Sequence, residues 1–190
     1  MLDTKIILYI IISIIIYYLL LQLSYKKTTN IYKYLDVNND TITSSTFENQ
    51  ISNKLPIIIW NNNINKDIEQ TLEIITPAFT IKRETINHYY NGDFISYHNV
   101  DRLFIIARES VTIELYTPNT IKKSTYKGQT KHKHIYNYTL EDKKKDSIQI
   151  ELEPNDILYV PRYWLFNISK KNVDLFLCSS LLSILSTFQL

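Results

Sequence analysis

Four histidines, one cysteine and a scatter of acids and arginines are what this 190-residue chain offers for side-chain chemistry. His132 and His134 alternate (Lys131-His-Lys-His-Ile). A strand would turn both imidazoles to one face, where a divalent cation could sit. The flanking lysines repel a cation and no carboxylate is adjacent, so a surface loop is the plainer reading. His88-Tyr89-Tyr90 precedes an Asn91-Gly92 turn and reads as packing. Cys178 stands in an apolar run with no histidine after it. That favours a buried thiol over a nucleophile, and a lone cysteine leaves no internal disulfide framework. Only two glycines occur, Gly92 and Gly128, so no glycine-rich phosphate loop can be written. Lys143-Lys144-Lys145 follows Glu141 and Asp142 and reads as a solvated loop. With 21 basic and 19 acidic residues the net charge is +2, so nucleic acid is not an expected partner. An apolar share of 45% excludes a wholly disordered chain.

The elements that would position these groups begin with an apolar run from Ile6 to Leu23. At 1.5 Å per residue it reaches about 27 Å, near the roughly 30 Å of a hydrocarbon core. It is long for a signal peptide and lacks an A-x-A site. It has no polar face, which argues against a core helix. We read residues 1–27 as an N-terminal transmembrane anchor on the lipid bilayer. The positive-inside rule, through Lys26, Lys27 and Lys33, favours a cytoplasmic C-terminal domain. Three N-x-S/T sequons (Asn39, Asn137, Asn167) are expected by chance in so asparagine-rich a chain. Residues 28–46 read as a polar stalk, and residues 47–190 as one domain with a real core.

Ser45 and Glu48 have capping-box spacing ahead of a short helix. Leu55-Pro56 opens a strand through Trp60. Asp67 would cap a second helix carrying Ile68, Leu72 and Ile75 on one face. The period then changes to two. Strands are expected at 79–82, 94–97, 103–107, 111–116, 148–152, 157–160, 165–168 and 173–177. Residues 119–147 read as a lysine-rich polar excursion. The apolar tail 181–190 is too short to span a membrane. Two helices followed by many short antiparallel strands imply a mainly β fold, a sandwich or small barrel.

The stretch from Leu152 to Ile168 (LEPNDILYVPRYWLFNI) is more specific. An acidic turn at Asp156 leads to an apolar strand, then Pro161-x-x-Trp164, then another strand. This resembles the late strand pair of cupin-like and Jumonji-C-like domains. The segments FENQISNKLPIIIW (47–60) and 99–118 are similar to earlier parts of that family. The resemblance implies a double-stranded β-helix, a cupin or jelly-roll sandwich, with two short flanking helices. It also implies an Fe(II)/2-oxoglutarate oxygenase site, built from His-x-Asp/Glu and a distant His.

Carried over residue by residue, that site is broken. The distant histidine falls on Phe166. Counting back from Pro118 puts His-x-Asp on Ser96 and His98. Taking His98 as the first ligand puts Val100 at the carboxylate, and Asp101 is one residue too far. The family's cosubstrate lysine has no clear counterpart, leaving only Arg102 and Arg108 as substitutes. The leading expectation is a membrane-anchored, non-catalytic domain, a pseudoenzyme acting as a binding or structural module without a cofactor. Its partner would be another membrane protein or a capsid protein. One alternative is a hydroxylase using Fe(II) and 2-oxoglutarate at an unorthodox site near His98 and Asp101. Another is a small-molecule pocket of Tyr97, His98, Asp101, Arg102 and Trp164 at an open barrel mouth. Richness in Ile, Asn, Lys and Tyr suggests an AT-rich genome, and anchored domains of this degenerate kind resemble proteins of large DNA viruses.

Overall fold

The structure, a computed structural model, describes residues 4–26, 35–38, 42–60, 68–141, 147–168, 171 and 173–180. Helix α1 (Thr4–Lys26) comes first. Its described side chains, at 8–17, 19 and 20, are all exposed. Among the described residues no helix is long and apolar enough to cross a membrane; those side chains span only about 20 Å of α1.

Two six-stranded sheets follow. The first runs β1 (Leu35–Asn38), β2 (Ile57–Trp60), β10 (Ile157–Val160), β5 (Arg102–Ile106), β12 (Val173–Ser179), β3 (Lys82–Tyr89). The second runs β7 (Ser124–Gln129), β8 (Ile135–Leu140), β4 (Ile95–His98), β11 (Leu165–Asn167), β6 (Val111–Tyr116), β9 (Ser147–Leu152). All pairs are antiparallel except β1 with β2. With β7 and β8 set aside, successive strands from β3 onward alternate between the sheets or fold back on them. They give β3-β12-β5-β10 facing β4-β11-β6-β9. That is a jelly roll, two wound Greek keys closing over one interior.

The interior between the sheets holds Leu103, Ile105, Leu158, Val160, Leu175 and Leu177 from one side. Ile113, Leu115, Ile150, Leu152, Phe166 and Ile168 come from the other. Both outer faces are covered too. Helices α2 (Ser44–Ile51) and α3 (Ile68–Ile75) lay Phe47, Leu72 and Ile75 over Ile57, Ile59, Phe104 and Tyr159 of the first sheet. A 3-10 turn at Pro118–Lys123 brings Ile121 against Ile95, Tyr97, Tyr116, Tyr136 and Leu165 of the second. Strands buried on both faces need apolar residues at every position rather than at alternate ones. That is why β2, β5 and β10 read as unbroken runs.

Several expectations change. The α2 capping box is Thr43 with Thr46, not Ser45 with Glu48: the Thr46 amide donates to Thr43 Oγ1 at 3.2 Å, and the Thr43 amide to Thr46 Oγ1 at 2.8 Å. Starting two residues early frees Glu48 for another partner. The strand expected at 79–82 begins only at Lys82, because Phe79 lies in a turn and is 88% exposed. The polar excursion contains the β7–β8 hairpin, whose Ile135 and Tyr136 are buried while lysines crowd its turn. β1 falls inside the stretch read as a stalk. Asp67, Lys143–Lys145, Asn39 and the tail 181–190 lie outside the described residues.

Candidate functional site

Ile95 and Tyr97 face outward from β4, so Ser96 and His98 face the interior. Ser96 lies directly opposite Phe166 on β11. The three positions carried over from the oxygenase resemblance therefore share one inner wall, and two of them, Ser96 and Phe166, offer no ligand there. The Ser96 hydroxyl donates to Asn137 Oδ1 at 2.9 Å and accepts from Asn91 Nδ2 at 2.9 Å. The Tyr89 hydroxyl, 3.1 Å away, fills its last position. A serine has one donor and two acceptor sites, and all three are taken. Asn91 continues the network, donating to the Phe166 carbonyl at 3.1 Å and accepting from the Ile168 amide at 2.7 Å. Phe166 packs against Tyr89, ring centres 6.2 Å apart.

His98 bridges the sheets. Its Nε2 lies 3.1 Å from the Val160 carbonyl and 3.2 Å from that of Pro161. Two carbonyls accept only, so Nε2 carries the proton. Nδ1 is buried without a hydrogen-bond partner. Burial holds the imidazole down to about 3, helped by the Arg162 guanidinium and opposed by the Val160, Pro161 and Val100 carbonyls. It is neutral at pH 7. An iron ion asks for three ligands on one face. A saturated serine, a phenylalanine and one tied histidine do not fit it. Among the described residues no three His, Cys, Asp or Glu side chains gather.

The residues expected around an open mouth do not converge. Trp164 is 1% exposed, packs in the interior, and donates Nε1–H to the Lys54 carbonyl at 3.2 Å. Tyr97 lies on the opposite face of its sheet, stacked on Tyr163 at 5.8 Å. Tyr163 reaches it from a turn with φ of 72°. Asp101 accepts the Ser180 amide at the end of the first sheet. Arg102 points to the helical layer, where it binds Glu48 at 2.5 Å and the Ile75 carbonyl. Asp156 caps its own turn, accepting the Glu153 amide at 2.9 Å. Pro161 opens the turn that closes on Trp164, 3.1 Å away. The Cys178 thiol is buried 3.9 Å from Thr76 Oγ1, and burial pushes its pKa up.

Outside the interior a cleft of about 420 Å³ opens between β3 and the β7–β8 hairpin. Asn87, His88 and Tyr90 form one wall, and Lys131 and His132 the other; Tyr89, Asn91 and Asn137 lie at its base. His132 sits 6.2 Å from the Tyr89 ring. Burial first, then Lys131, lowers its pKa, against Glu84. His134, read with His132 as part of a surface loop, is instead buried with Nδ1 3.1 Å from Asn99 Oδ1. A bulge in β3 lies along the cleft. Tyr89 pairs with Val173 and Ile86 with Leu175, so two residues oppose Asp174 alone. The extra residue turns both Asn87 and His88 outward and Tyr89 inward. Its sequence trace is the three-residue spacing of Ile86 and Tyr89 inside a strand, a signal the reading of His88-Tyr89-Tyr90 as simple packing missed.

The strand order thus defines the chain as a jelly roll. No family model and no curated protein matches the chain. Among solved structures it is similar to "RmlC from Streptococcus suis in complex with dTDP-D-xylose", at 12% identity and a TM-score of 0.32. That match covers 66% of this chain and 61% of the other, so the chain aligns with about three-fifths of that protein.

Proposed function

We propose that the chain is a membrane-tethered, cupin-like pseudoenzyme, a jelly roll that binds rather than catalyses. The observation that carries this reading is the closed inner wall. Ser96 has no lone pair to give, Phe166 has none at all, and His98 is left as a single ligand through Nδ1, which cannot hold iron by itself. The tether is supported by α1, a 23-residue helix whose backbone runs about 34 Å. The lysines after it favour a cytoplasmic domain. The partner on this reading is another membrane protein or a capsid protein, in keeping with the viral resemblance of the sequence.

The test is an anaerobic Fe(II) titration of the full chain in detergent micelles, with and without 2-oxoglutarate, followed by calorimetry. The expected result is no saturable iron binding at micromolar concentration. Iron binding that tightens with 2-oxoglutarate would overturn the reading and restore the hydroxylase alternative.

A further inference from the structure

We propose that the cleft between β3 and the β7–β8 hairpin binds a small oxyanion, a phosphate or carboxylate group. The proposal names a ligand class for the module above and rests on that reading. The two fail separately, because iron tests the barrel interior and the oxyanion tests the cleft.

The lining is rich in donors and has no acid. Lys131, His88, His132, Asn87 and Asn137 line it, and neither Asp nor Glu does. The acid that acts on His132, Glu84, is itself bound to Lys82 at 2.8 Å. Among the described residues the side chains of Lys131, His88 and Asn87 make no hydrogen bond or ion pair. The amide of Asn137 is oriented from below: its Oδ1 accepts from Ser96, which turns the NH₂ group away from the network. A lining with one cation, several N–H donors and no carboxylate suits a ligand that brings acceptor oxygens and negative charge. The volume of about 420 Å³ is that of a small-molecule site.

Backbone strain points to the same place. His88 has φ of 55°, a conformation rarely taken by residues with a side chain. Asp174 holds it there, accepting the His88 amide at 3.0 Å while Arg108 binds its other oxygen at 2.6 Å. Such outliers cost about 1–3 kcal/mol and gather at ligand sites. Bulges likewise re-aim side chains beside such sites. Here the strained residue is the one whose imidazole forms the cleft wall.

The experiment is calorimetric titration of the full chain in micelles with inorganic phosphate and, separately, malonate, at ionic strength fixed with chloride. Saturable binding of either anion is expected, and the tighter arm identifies the group. Lys131→Ala and Asn87→Asp should each weaken it about tenfold or more, the worth of one charge-assisted hydrogen bond. Lys127→Ala, an equal charge change on exposed β7, should leave it unchanged. Thermal melts establish that each variant folds, and if one does not, the other decides. Neither anion saturating would overturn the proposal. So would wild-type affinity in a folded Lys131→Ala or Asn87→Asp variant, or an equal loss in Lys127→Ala.

Discussion

His98 ties β4 to the end of β10 through two carbonyls, and it does so as a neutral ring. Its pKa in the folded chain is about 3, against an ordinary 6.5. Between those values the unfolded chain takes up a proton that the folded one refuses. The stability His98 confers is therefore complete above about pH 6.5 and drains away as pH falls toward 3. The slope from one such group approaches 1.4 kcal/mol per pH unit. His132 and His134, also lowered, act in the same sense. Urea unfolding at pH 7, 6, 5 and 4 should show a shallower pH slope for His98→Gln than for wild type. Equal slopes would mean that His98 is not the buried base described. The three inner-wall positions were legible in the sequence through the Pro161-x-x-Trp164 motif and the count back from Pro118. Their closure was not: Ser96 is saturated by Tyr89, Asn91 and Asn137, and Asn137 comes from a strand 41 residues away.

Arg102 explains how the helical layer is held on the first sheet. It projects from β5, is 7% exposed, and binds Glu48 of α2 and the carbonyl of Ile75 of α3. Its guanidinium lies 5.4 Å from the Phe47 ring centre. Glu48 is 47% exposed, so this pair sits between a screened surface bridge and a buried one. Glu48→Ala leaves a buried cation with a carbonyl and a ring as partners. It should cost about 2 kcal/mol, between the surface and buried limits. An unchanged urea midpoint would show that Arg102 does not depend on Glu48. Elements with apolar runs, β2, β5, β10 and β12, could be read because burial on both faces keeps them mostly apolar, Arg102 and Asp174 apart. β7 and β8 could not: Ser124–Gln129 is mostly exposed, and the alternation of Ile135–Leu140 is hidden among lysines and tyrosines. The α2 cap was misplaced because Thr43, Ser45 and Thr46 are all fit to cap, and local spacing alone cannot choose among them.

At the scale of the molecule, the described side chains of α1 form the longest run of exposed apolar residues among the described residues. Its described side chains are exposed all round, from Leu8 at 57% to Leu20 at 61%. A helix apolar on every side is a buried or membrane-spanning one. The full chain should stay with membranes through carbonate extraction at high pH. A variant with Ile11→Lys and Ile15→Lys should be released, since each charge at mid-bilayer costs about 3 kcal/mol. Wild-type chain in the soluble fraction would end the tether proposal. The bulge in β3 carries a different consequence, one about chain length. Opposite Asp174 the chain is one residue longer than the ladder requires. A deletion of His88 would restore strict alternation and still leave Tyr89 pointing at Ser96. A single-codon insertion or deletion at this point of β3 would therefore make or erase the bulge beside the cleft without altering the strand order of the barrel.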